Sequence, residues 1–160
     1  MRSALADPIQ DQAKLRELLP IAERVFALHE AGANYDKELR AISRLLARVV
    51  DRIDVMAGFG SGDSEHFARR LMTDWSSVPR ELSEAEMLEL VEALCSASGA
   101  PSAQEYWIRC LEANTGDDRI SDLIFWPNEY FGSGTVATNL SPSAILSIAL
   151  RRSASLPSDA

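Results

Sequence analysis

Histidine and cysteine, which are well suited to acid–base and nucleophilic chemistry, occur only twice each in this 160-residue sequence. The two histidines, His29 and His66, have no catalytic partner close to them in sequence. His29 falls on an apolar helix face, so we expect a hydrogen-bonded histidine at the edge of a core, whereas His66 is expected to be exposed on a short helix. The sequence therefore predicts no enzyme, since a hydrolase would need a pocket that brings one imidazole beside a carboxylate.

The cysteines and clustered aspartates make no recognisable metal site either. Cys95 and Cys110 lie in apolar helical patterns, which favours reduced, buried thiols, and two cysteines with two distant histidines give no zinc spacing. Asp117 and Asp118 precede Asp122, but a calcium loop needs more alternating oxygen ligands. Helix capping, turn formation and negative surface charge are the favoured roles for these aspartates. No cofactor and no metal ion is predicted.

The charge of the chain is concentrated in its second half. The net charge is -8, and residues 80–160 hold 12 acidic and 5 basic side chains. An acidic surface repels phosphates and attracts basic proteins, so we expect a protein partner and no direct contact with nucleic acid. The sequence has no apolar run long enough to span a membrane and no signal-peptide pattern near Met1, which predicts a cytoplasmic protein without membrane contact.

Helical periodicity runs through most of the chain and no stretch is typical of a strand, so the predicted fold class is all-α. The apolar content of 46% is sufficient for a globular core. Residues 1–79 are predicted to form an N-terminal helical extension, which ends in a polar, proline-containing boundary. Its predicted elements are a helix over 9–31 with a kink at Pro20, an apolar stripe from Leu39 to Ile53, a flexible turn over 57–63 and a short helix from Asp63 or Ser64 to Met72.

Residues 80–160 are predicted to form a second helical domain with clear start signals. Ser83 and Glu86 have the spacing of a capping box, and Ser102 and Glu105 repeat it. The second of these helices is predicted to end near residues 115–116. A Gly/Ser/Thr-rich loop over 132–139 and a last helix opening at residues 140–142 follow, with frayed residues at 153–160.

Between these helices lies the aromatic segment, residues 122–131, with the sequence Asp-Leu-Ile-Phe-Trp-Pro-Asn-Glu-Tyr-Phe. It holds Phe125, Trp126, Tyr130 and Phe131, which are four of the eleven aromatic residues. Pro127 limits the segment to a turn or a single helical turn. Large rings on such an element fill the domain's own core or anchor a protein interface, and both alternatives remain open.

Residues 81–152 resemble the colicin and pyocin immunity proteins, small acidic four-helix proteins that bind and inhibit DNase-type toxins. The Asp-Leu-Ile-Phe-Trp-Pro sequence of residues 122–127 is similar to that family's Asp-Leu-Ile-Tyr-Tyr-Pro on its short third helix. The capping box at Ser83 is similar to the start of that family's first helix. Residues 102–115 are similar to its acidic second helix, and the Leu-Ser-Pro of residues 140–142 is similar to the opening of its fourth helix. This chain departs from the pattern at Phe125 and Trp126, in the longer segment after Pro127 and in its N-terminal extension.

The resemblance implies a four-helix immunity-protein-like bundle with a short third helix, preceded by the helical extension. It implies that the short third helix supplies most of the binding energy that is common to the family's complexes. The second helix would supply the specificity for one partner. The partner would be a basic nuclease toxin, blocked at its DNA-binding surface. The implied anchors are Asp122, Phe125 and Trp126, and the implied specificity positions are Gln104, Glu105, Ile108 and Glu112.

The alternative to an inhibitor is a non-catalytic interaction or scaffold domain of unknown partner. In that case a leftover apolar face of the extension would allow a homodimer. Exposure of Phe125 and Trp126 favours the inhibitor, and burial of both rings favours the scaffold domain.

Overall fold

The computed structural model describes residues 2–132 and 139–155, and no strand occurs within these ranges. The predicted all-α fold class is confirmed. The helices in chain order are α1 (Ser3–Ala6), α2 (Gln12–Glu30), α3 (Asp36–Leu46), α4 (Arg52–Ser61), α5 (Ser64–Met72), α6 (Glu84–Cys95), α7 (Pro101–Thr115), α8 (Ile120–Phe125), α9 (Pro127–Phe131) and α10 (Pro142–Ser155). The loop predicted for residues 132–139 lies mostly outside the described residues, as do residues 156–160 of the predicted frayed end.

The chain divides into two compact units, each with its own apolar core. The smaller unit is Asp7–Thr73, and the larger unit combines Met1–Ala6 with Asp74–Ala160. The division therefore falls close to the predicted boundary at residue 79, with one difference. The first residues of the predicted N-terminal extension belong to the larger unit, and the sequence pattern gave no indication of this.

The core of the smaller unit is built by α2, α3, α4 and α5. The helix α2 begins where the Asp11 carboxylate accepts a hydrogen bond from Lys14 N–H (2.9 Å), and Pro20 lies within the helix. The helix α5 contributes the buried side chains of Phe67 and Leu71. The core residues are Ile9, Leu15, Leu18, Ala22, Val25, Tyr35, Leu39, Ile42, Val50, Val55, Phe67, Ala68 and Leu71.

The predicted apolar stripe from Leu39 to Ile53 is interrupted, so it does not form one helix face. The helix α3 ends at Leu46 because Ala47 takes a left-handed conformation (φ 52°). The Ser43 hydroxyl then accepts a hydrogen bond from Val50 N–H at 3.0 Å, which turns the chain back along α3. As a result the side chain of Ile53, predicted to face the core, is 74% exposed.

The turn predicted for residues 57–63 is also wrong, because α4 continues to Ser61 and Asp51 caps its start with a capping box. The glycines that suggested a turn have a packing role at one position. A Cβ atom on Gly58 would lie 2.5 Å from the Phe67 ring, so the absence of a side chain there permits close packing of α4 on α5.

The larger unit packs α10 and α8 against α6 and α7. The capping box predicted at Ser83 is confirmed, since its hydroxyl accepts from Glu86 N–H and Glu86 accepts from Ser83 N–H. The box predicted at Ser102 is wrong: α7 starts at Pro101, which is suited to the first helical position, and Ser102 is buried. The core residues are Leu5, Leu82, Met87, Leu90, Val91, Leu94, Ala103, Tyr106, Trp107, Cys110, Leu111, Ile120, Leu123, Tyr130, Ile145, Leu146 and Ala149.

The N-terminal residues complete this core, although they lie about one hundred positions in sequence from the α7 residues that they contact. Leu5 is fully buried, and the Trp107 indole N–H donates a buried hydrogen bond to the Leu5 carbonyl oxygen at 2.6 Å. The Arg2 guanidinium forms an ion pair with the Glu86 carboxylate. Residues 2–6 therefore act as a structural part of the larger unit.

We expect Leu5→Ala to lower the free energy of unfolding of the larger unit by about 2–5 kcal/mol, because it removes a buried side chain and leaves a cavity. All three tryptophans (Trp75, Trp107 and Trp126) lie in this unit, so tryptophan fluorescence during urea unfolding reports on it. Arg2→Ala, at an exposed position of the same segment, is the control and should cost far less. Equal losses for both variants would contradict the assignment of Leu5 to the core.

Candidate partner-binding surface

The aromatic segment forms two short helices that meet at Trp126. The backbone of Trp126 (φ -138°, ψ 61°) closes α8, where its N–H donates to the Asp122 carbonyl oxygen at 2.7 Å. It also opens α9, where its carbonyl oxygen accepts from Glu129 N–H and Tyr130 N–H. Pro127 takes the first position of α9, where its missing N–H and fixed φ are tolerated. Trp126 therefore stands at the junction of the two helices.

The four rings of the segment separate into exposed and buried sets. Phe125 is 40% exposed, Trp126 is 56% exposed and Phe131 is 39% exposed, whereas Tyr130 is buried. The Phe125 and Trp126 rings contact each other edge to face, with centroids 5.7 Å apart. Of the two alternatives left open by the sequence, the core role applies to Tyr130, and the exposed rings are available for an interface.

The buried Asp117 carboxylate holds the segment in place. It accepts a hydrogen bond from the Tyr130 hydroxyl at 2.5 Å and one from the Arg119 backbone N–H at 3.0 Å. The Arg152 guanidinium of α10 lies 3.9 Å from the same carboxylate. Burial, together with the hydrogen bond to Asp117, raises the pKa of Tyr130 above its usual value. The carboxylate thus connects the end of α7 to α8, α9 and α10.

Arg119 is the second group that fixes the junction. Its guanidinium donates to the Asp122 carboxylate at 3.0 Å and to the Glu129 carbonyl oxygen at 3.0 Å, so it bridges α8 and α9. It also lies over the Tyr130 ring, 5.4 Å from the centroid. The predicted anchor Asp122 is therefore half-buried and already paired within the chain, and only part of its charge faces outward.

The predicted specificity positions lie on α7, which packs against α8. All four are half-buried. The Gln104 amide donates to the Ser98 and Gly99 carbonyl oxygens at 3.1 and 3.3 Å, so it stabilises the turn before α7. Ile108 packs against the core, and the Glu112 carboxylate accepts from the Arg109 guanidinium at 3.0 Å. These positions, together with Glu105, thus combine structural contacts with partial exposure.

The residues considered for catalysis take mostly structural positions. The predicted hydrogen bond of His29 is present, with Nδ1 3.0 Å from the Tyr35 hydroxyl. His66 is half-buried on α5, which differs from the exposure predicted for it. Both thiols are free, but Cys95 is exposed where a buried thiol was predicted. Burial raises the pKa of the Cys110 thiol to about 11, which disfavours the nucleophilic thiolate at neutral pH.

Within residues 2–132 and 139–155, no group of three or more His, Cys, Asp or Glu side chains is arranged to hold a metal ion. None of the helices in this described part of the chain is long and apolar enough to cross a membrane. Comparison with known proteins found no matching family model, no matching curated protein and no matching solved structure.

We expect Tyr130→Phe to destabilise the larger unit by about 1–3 kcal/mol, because it removes a hydrogen bond to a buried charged acceptor. The effect should also depend on pH. The pKa of Tyr130 in the folded state is raised above 10.0, so the unfolded chain releases this proton first and stability falls above about pH 10. When the free energy of unfolding is measured in urea at neutral and alkaline pH, it should decrease less steeply above pH 10 in the variant than in the parent protein.

The matched control is Asp118→Asn, which changes the exposed carboxylate beside Asp117 and should alter stability by less than about 0.5 kcal/mol. Tyr106, whose pKa burial raises to about 12, remains in both proteins, so the variant retains some alkaline sensitivity. Identical alkaline profiles for the parent protein and Tyr130→Phe would contradict the role assigned to Tyr130.

Proposed function

We propose that this protein binds and inhibits a basic nuclease toxin by covering the toxin's DNA-binding surface. The observation that carries the proposal is the exposed pair Phe125 and Trp126, held at a helix junction by the buried Asp117 and by Arg119. Exposed adjacent rings on a fixed backbone are suited to be anchors of a protein interface, since little conformational freedom is lost when they bind.

The order and lengths of the helices in the larger unit also support this proposal. The helices α6 and α7 have 12 and 15 residues, α8 has six, and α10 has 14. This long, long, short, long order is the one that the resemblance to immunity proteins implies, with the Asp-Leu-Ile-Phe-Trp-Pro sequence on the short helix. The additional helix α9 and the N-terminal residues 2–6 are particular to this chain.

The chemistry of the rings defines what the partner must offer. Trp126 presents an indole N–H, which is a donor only, and Phe125 presents no polar atom. The partner should therefore place a hydrogen-bond acceptor, such as a backbone carbonyl, and apolar surface against this pair. Glu105 and Glu112 on α7, which packs against α8, and the outward part of Asp122 would attract basic side chains.

In this proposal inhibition is steric and electrostatic, and the protein itself performs no catalysis. The larger unit carries 13 acidic and six basic side chains, a net charge of -7. A surface of that charge competes with the phosphates of DNA for the basic groups of a nuclease. The proposal also places the protein in the cytoplasm, where its two free thiols would remain reduced.

The direct experiment is titration calorimetry with a basic nuclease domain encoded beside this protein, with nuclease activity followed in parallel. Tight one-to-one binding with loss of activity supports the proposal. If the folded protein neither binds nor inhibits, the inhibitor role is wrong for that nuclease. The result would then favour the alternative of an interaction domain with another partner.

We expect Trp126→Ala to raise the dissociation constant for the nuclease by roughly 30-fold or more, because a central ring is lost from the interface. The melting temperature should change little, since this side chain is 56% exposed. Arg16→Ala, at an exposed position of α2 in the smaller unit, is the control and should leave binding unchanged. A large fall in melting temperature with unaltered binding would instead give Trp126 a structural role.

The affinity should also fall as salt is added, because acidic side chains would steer a basic partner over distances that salt screens, about 10 Å at 0.1 M. The double variant Glu105→Gln and Glu112→Gln should associate more slowly and show a weaker dependence on salt than the parent protein. Association rates measured at several salt concentrations test this. An affinity that is insensitive to salt would rule out electrostatic steering.

A further inference from the structure

The smaller unit exposes a second apolar surface, distinct in residues from the aromatic segment. Val49 is 82% exposed, Ile53 is 74% exposed and Met56 is 64% exposed. Ile53 and Met56 are one helical turn apart on α4, and Val49 lies just before that helix. Three neighbouring large apolar side chains in contact with water are unfavourable for an isolated protein, since scattered single residues are the usual arrangement.

A groove lies directly beside these side chains. It has a volume of about 630 Å³ and runs between α3 and the segment that leads into α4. Buried Leu39 and Val50 contribute apolar surface to its lining, and Val49 and Ile53 line it as well. Protruding apolar side chains and a groove that could receive such side chains therefore occupy the same face.

The charged groups on this face are of both signs. Arg40 and Asp51 line the groove, and the Arg52 guanidinium pairs with the Asp36 carboxylate at 2.9 Å on its wall. The smaller unit as a whole carries 11 acidic and ten basic side chains, a net charge of -1. Two such faces would meet with little net repulsion, in contrast to two surfaces of the larger unit, which carries -7.

We propose that this face, comprising Val49, Ile53, Met56 and the adjoining groove, binds a second copy of the same chain to form a two-fold symmetric homodimer. In a two-fold interface the same patch meets itself, so each copy's protruding side chains can enter the other copy's groove. Since Arg40 and Asp51 both line the groove, each copy offers charges of both signs to the other. A closed dimer results because the protrusion and the groove are adjacent on one face.

The test is the molar mass of the full chain in solution, measured by light scattering and by sedimentation over a wide range of concentration. The expected mass is twice the 17.6 kDa of one chain. Ile53→Asp and Val49→Asp should each raise the dimer dissociation constant by roughly 100-fold or more, because each substitution would place a charged carboxylate in an apolar interface. Both substituted side chains are exposed in the single chain, so circular dichroism should show unchanged helicity.

Two controls make the test specific to this face. Ala27→Asp introduces the same charge at an exposed position of α2 and should leave the dimer intact. Trp126→Ala should do so too, because it changes no residue of this face. A chain that stays monomeric at every concentration overturns the proposal. A dimer that persists in Ile53→Asp and Val49→Asp, or one that Trp126→Ala dissociates, also overturns it.

Discussion

The larger unit depends on the buried carboxylate of Asp117. A carboxylate removed from water is costly unless hydrogen bonds and charges satisfy it. Here the Tyr130 hydroxyl, the Arg119 N–H and the Arg152 guanidinium perform that function, and each comes from a different part of the segment after α7. Because these groups reach the carboxylate only when they are in position, they help to hold α8, α9 and α10 against the end of α7.

This constraint explains how exposed rings can coexist with an ordered backbone. The burial of Tyr130 anchors α9, and the Arg119 guanidinium bridges the two short helices. The junction at Trp126 is therefore held by its neighbours, and its own indole need not be buried to keep the chain in place. In the proposed complex this surface would already be ordered before binding, so little conformational entropy would be lost in fixing α8 and α9.

The sequence predicted those features that depend on local chemistry. The helix start at Ser83 was predicted correctly. The start predicted at Ser102 was wrong, because α7 begins one residue earlier with Pro101 at its first position. The interruption after Leu46 was missed, since Val49, Val50 and Ile53 continue the apolar spacing and the deciding contact is one hydroxyl, that of Ser43. The spacing of apolar residues carries no information about a single side-chain hydrogen bond that changes the direction of the chain.

The candidate surface also depends on contacts that the local sequence does not reveal, in this case contacts between residues far apart in the chain. Residues 122–131 could be selected from their rings and Pro127, but which rings are buried depends on Asp117 and on Arg152, both outside the segment. Leu5 is a more extreme case, because its partner Trp107 is distant in sequence and no local pattern connects them. Charge is different, since it is a sum over residues: the contrast between -7 and -1 follows from sequence once the units are defined. That contrast is consistent with the basic partner proposed for the larger unit and permits the like partner proposed for the smaller one, so the two proposed interactions differ in their electrostatic requirements.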